Sequence, residues 1–139
     1  EEVQNIKELA LDGNNEISWF VCVLDASNNE SLMNQLLTRI KKIVHIDDYL
    51  CELSAEYAVG IGLQALKEYD ISCLFIIENT LNTQSSQQFS SAYQIWLTKN
   101  LPVSLVITGK IDKIRELQNA KGTTFLWRCM RIDLDWDEK

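Results

Sequence analysis

The chain has 139 residues, 46% of them hydrophobic, enough for one core and hence for one domain. Its formal charge of −7 and pI near 4.7 argue against a phosphate-backbone binder, which needs clustered cations. One histidine and four cysteines without a close pair argue against zinc. The lack of a secretory apolar core or of a membrane-length apolar run points to the cytoplasm.

Residues 1–11 read as a helix, with Val3, Ile6, Leu9 and Ala10 on one face, broken by Asp12-Gly-Asn-Asn. Residues 17–24 are rich in β-branched and aromatic side chains and predict a strand. Ser27 and Glu30 have capping-box spacing before a helix whose apolar stripe runs from Leu32 to Val44. Tyr49 to Leu53 could form a short strand, and Ser54 could cap a helix reaching Lys67. Gly60 and Gly62 weaken that helix by about 1 kcal/mol each relative to alanine.

Two apolar runs follow, predicting strands at 71–77 and 102–108. Each reads as a parallel strand buried on both faces and each ends in polar residues. A polar loop from Asn79 and a helix over 86–100 separate them; Phe89, Tyr93 and Trp96 on that helix read as core. Trp19 and Trp127 are packing residues by default. A helix over 111–120, a short one near 123–127 and a last strand at 130–134 complete the pattern. Alternating strands and helices predict parallel pairing with right-handed crossovers. Chemistry in such sheets lies just beyond the carboxyl ends of the strands, where Glu78, Asn79 and Thr108 fall.

The series Ala92-Tyr-Gln, Leu101-Pro-Val, Thr108-Gly, Leu117-Gln-Asn and Thr124-Phe-Leu resembles the AAA+ ATPases. More narrowly, it is similar to bacterial and archaeal ATP-binding proteins with "LPV…TG" and "LQN…TFL.R" segments. The resemblance spans about residues 17–134. It implies an α/β three-layer sandwich, a mostly parallel sheet with helices on both faces, as an incomplete P-loop NTPase-like core.

By that resemblance Leu74 to Asn79 would be the Walker B strand, with Glu78 in the place of the Mg²⁺-orienting aspartate. Asn79 would stand where the family has its catalytic glutamate. Asparagine cannot accept a proton as a general base does. Thr108 would be the sensor hydroxyl and Arg128 a charge-stabilising group. Glu78 is thus the candidate metal ligand, with a bland alternative as a loop carboxylate. Asparagine in the place of Asn79 more often starts an Asx-turn than touches substrate, while capping of the helix at Ile111 by Thr108-Gly109 and pairing of Arg128 with Asp133 or Asp135 weigh evenly with the roles above.

No G-x-x-x-x-G-K-[ST] loop is seen in residues 1–139, nor a lid segment after Asp135. The reading is therefore a partial or degenerate ATPase core, one domain over 1–139. ATP and Mg belong to intact relatives, and no cofactor is expected for this chain alone. The alternative is a non-catalytic protein-interaction module on the same scaffold. A response-regulator-like domain fits the composition but not the motif series. In the resembled fold a further strand lies inside the one at 102–108. That edge is therefore expected to pair with 130–134 or with another chain, making a protein partner or self-association the expected interaction.

Overall fold

The computed structural model describes residues 18–120. The strands are β1 (Ser18–Asp25), β2 (Ile71–Glu78) and β3 (Val103–Ile107). The helices are α1 (Leu32–Lys41), α2 (Asp48–Leu53), α3 (Ala55–Glu68), α4 (Gln84–Thr98) and α5 (Ile111–Gln118). The strands form one parallel sheet in the order β1-β2-β3, and the fold is α/β. Register runs Val21 opposite Leu74 and Leu74 opposite Ser104.

Both steps across the sheet go the same way. Right-handed crossovers moving in one direction place their helices on one face, and α1 indeed contacts β1, α3 and α4. Phe20, Cys22, Leu24, Ile71, Cys73, Phe75 and Ile77 point into that layer and are buried. Phe75 meets Phe89 and Trp96 of α4 at ring-centroid distances of 5.8 Å each, and those two rings lie 5.6 Å apart. The expectation that α4 carries core aromatics holds.

The alternate residues differ. Trp19, Val21 and Val23 are 44–47% exposed, Val106 is also exposed, and Leu74 and Ile76 are half-buried. The doubly buried reading of the two apolar runs is therefore corrected: β2 alternates buried with half-buried residues, and β3 is open on its second face. Trp19 is likewise not a buried packing residue. The third layer of the sandwich concerns this second face. The predicted helix at 1–11, the elements at 123–134, Trp127 and Arg128 lie outside the described residues.

Three local expectations change. Tyr49 to Leu53 is helical rather than a strand, because Ser54 begins a new helix immediately after it, its hydroxyl accepting from the Tyr57 N–H at 3.1 Å. Ser31, not Ser27, caps α1, accepting from the Asn34 N–H; Ser27 is drawn away by Asp25. Gly62 is a close-approach site as well as a weak helix former. A Cβ there would meet Ile40 Cγ2 at 2.5 Å, whereas one at Gly60 would meet nothing within 4 Å.

Candidate functional site

The carboxyl end of the sheet brings Asp25, Glu78, Asn79, Thr80 and Thr108 together. Parallel register sets Asp25 directly opposite Glu78. Beyond Asp25 the chain turns sharply. The Ser27 N–H (2.9 Å) and Ser27 hydroxyl (2.7 Å) both donate to Asp25 Oδ1, an Asx-turn of the kind Asp favours at strand ends. Gln35 of α1 clamps the same residue from the other side. Its Oε1 accepts from the Asp25 N–H, and its Nε2 donates to the carbonyls of Asp25 and Glu30.

Asn79 adopts φ +54°, a left-handed conformation that asparagine tolerates. Its amide does not form the local turn that the bland reading expected. Instead Nδ2 donates to Asp25 Oδ1 at 3.0 Å, across 54 residues of sequence. Three donors therefore converge on one carboxylate oxygen. Chiefly the Ser27 hydroxyl, then the Asn79 amide and the Ser27 N–H, hold the Asp25 carboxyl below its usual value.

Thr80 ties the next loop to β3. It is buried, and both its N–H (3.1 Å) and its hydroxyl (2.7 Å) donate to the Thr108 carbonyl. Gly109 follows at φ +153°, and a Cβ there would sit 3.0 Å from the Thr80 nitrogen, so glycine is required by both torsion and space. Thr108 is tied to β2 in turn: its N–H (2.9 Å) and hydroxyl (3.3 Å) donate to the Ile77 carbonyl. The alternative in which Thr108-Gly109 caps the following helix does not hold, since Lys110 occupies the cap position of α5.

Glu78 is exposed at the rim, and its carboxylate has no hydrogen bond or ion pair among the described residues. Among those residues no group of three or more His, Cys, Asp or Glu side chains could hold a metal ion. A metal at Glu78 would find one neighbouring carboxylate, Asp25, whose Oδ1 already accepts three hydrogen bonds. Of the four residues singled out from sequence, Glu78, Asn79 and Thr108 share this end of the sheet, and Arg128 lies outside the described residues.

Sequence reasoning missed Asp25, Gln35 and Thr80. Asp25 carried the same signal as Glu78, an acid closing an apolar run. It became relevant only once β1 proved to be a parallel neighbour in register. Gln35 and Thr80 carried no such signal. No described helix is long and apolar enough to cross a membrane. No family model, curated protein or solved structure matches the chain.

Proposed function

We propose that this chain is a degenerate AAA+-like ATPase core that does not turn over ATP by itself. The observation that supports the reading most is Asn79, which stands where the family's general base would be. Its amide is too weakly basic to take a proton from water, and its Nδ2 is spent donating to Asp25. The Thr108 hydroxyl is similarly committed to the Ile77 carbonyl, leaving only its oxygen lone pairs for a ligand. The strand order also suits the resemblance, with the Glu78 strand beside the Thr108 strand.

Isothermal titration with Mg-ATP, read with phosphate release, tests this. Binding weaker than about 1 mM and no turnover are expected; micromolar binding overturns the reading. Self-association through the outer edge of β3, which no described strand pairs, belongs to the same proposal. Sedimentation at several concentrations checks it.

The second reading, a non-catalytic interaction module, is favoured by one observation. The three most exposed large hydrophobic side chains of the described residues follow each other at four-residue spacing, at positions 49, 53 and 57.

A further inference from the structure

Tyr49, Leu53 and Tyr57 are 59–72% exposed, far above what core-facing positions show. Helix α2, which carries the first two, buries no residue fully; Leu50 and Cys51 on its other side lean on the core. Its role in the fold is therefore small for the apolar surface it leaves in water. Tyr57 lines a groove of about 440 Å³ between α3 and α4, together with Gly60, Ile61, Ile95 and Trp96. Ile95 is itself exposed. Leu53, exposed at the end of α2, immediately precedes Ser54, which lines the groove.

Charge along this strip is one-sided. Residues 43–66 contain Asp47, Asp48, Glu52 and Glu56 and neither lysine nor arginine. Asp47 meets exposed His45 at 3.1 Å, while Asp48, Glu52 and Glu56 have no ion pair among the described residues. Lys99 stands on the groove as the one cation lining it. An occupant must therefore offer an apolar stripe flanked by positive charge.

We propose that the strip formed by α2 and the α3–α4 groove docks a cationic amphipathic helix of another protein. Leucine-type side chains at i, i+3, i+4 and i+7 fill the groove over Gly60 and cover Leu53 and Tyr57. Lysine or arginine on the flank meets Asp48, Glu52 and Glu56, which steers the encounter and selects against acidic partners. Lys99 rejects a cation on the opposite flank and so sets the direction of the bound helix. This deepens the interaction-module reading and is independent of the nucleotide one, because the groove belongs to the helical layer and not to the strand ends.

The test uses the full chain and a labelled synthetic peptide of about four helical turns, with a leucine stripe and lysines along one flank only, read by fluorescence anisotropy. Saturable binding is expected, weakened at least about tenfold by Glu52→Lys with Glu56→Lys and by Leu53→Ala with Tyr57→Ala. Gly60→Leu is expected to block the groove while the helix stays folded, since a Cβ there meets nothing within 4 Å. The control Asp112→Lys with Glu116→Lys, on α5, leaves binding unchanged. Equal binding by all variants, or no saturable binding, overturns the proposal. So does a dimer in sedimentation that Leu53→Ala abolishes, which would make the occupant a second copy of this chain. Mg-ATP titration of the same variants separates failure here from failure of the nucleotide reading.

Discussion

Phe20, Cys22, Phe75 and Ile77 lie under a layer of three helices, whereas Trp19, Val21 and Val23, one residue away along the same strand as Phe20 and Cys22, remain nearly half exposed. The residue types on the two faces are alike, so hydrophobicity did not choose between them. Chain direction did. Two successive steps the same way across a parallel sheet put both crossovers on one side. The same apolar alternation then becomes core on one face and an open surface on the other.

The largest test of this contrast is a pair of truncations. Phe75→Ala removes the hub of the Phe75–Phe89–Trp96 cluster and is expected to cost about 3–5 kcal/mol in urea unfolding. Val21→Ala on the other face is expected to cost under about 1 kcal/mol. Equal penalties would show that the open face is covered in solution and would break the comparison.

The helical layer sharpens it next. Gly62→Ala forces a Cβ against Ile40 and is expected to cost about 1–3 kcal/mol, while Gly60→Ala meets open space and stabilises by about 0.5–1 kcal/mol. Thermal melts of the two variants should therefore move in opposite directions. Two downward shifts would mean that the groove at Gly60 is closed.

Thiol chemistry reports the two faces directly. Burial pushes Cys22 up to about 11, against a small opposing pull from Arg39, and pushes Cys73 up to about 12 with Cys22 adding to the rise. Both are expected to resist alkylation in the native state, while half-buried Cys51 reacts, and Val23→Cys on the open face reacts at least as fast. Peptide mapping by mass spectrometry separates the sites. The sign for stability follows from the raised values. Below 9.0 both states hold these protons; above it the unfolded chain releases them while the fold retains them. Stability therefore falls as pH rises from 9.0 towards about 11 and about 12.

The smallest effect is expected at the strand ends. Asn79→Ala removes one of the three donors on Asp25, so the Asp25 pKa rises toward 3.8, as followed by NMR titration. Because the folded value is depressed, this contribution is present above 3.8 and is lost as pH falls through the folded value. An unchanged titration would mean that Ser27 alone sets the carboxyl.

Much of the architecture was legible in the residues. The runs at 71–77 and 102–108 are too continuous for amphipathic helices and sit between helix-length segments, which dictates parallel pairing through crossovers. Ser54 announced the start of α3 because a hydroxyl before an apolar periodicity satisfies a free helix N–H. Residues 49–53 form an apolar run interrupted only by Glu52, too short for periodicity to tell strand from helix, and the break at Ser54 makes them a separate turn of helix.

Of the candidate site, the sequence alone marked Glu78, Asn79 and Thr108 as polar residues closing apolar strands, because side chains beyond a strand end leave the core. The bond from Asn79 to Asp25 and the double clasp of Thr80 on the Thr108 carbonyl were decided only by the tertiary structure. They join residues 54 and 28 positions apart, a pairing that no local periodicity encodes. The open sheet face and the exposed 49–53–57 strip were decided there too. A hydrophobic side chain carries the tendency to leave water, but whether a neighbour arrives to cover it depends on where the rest of the chain is folded.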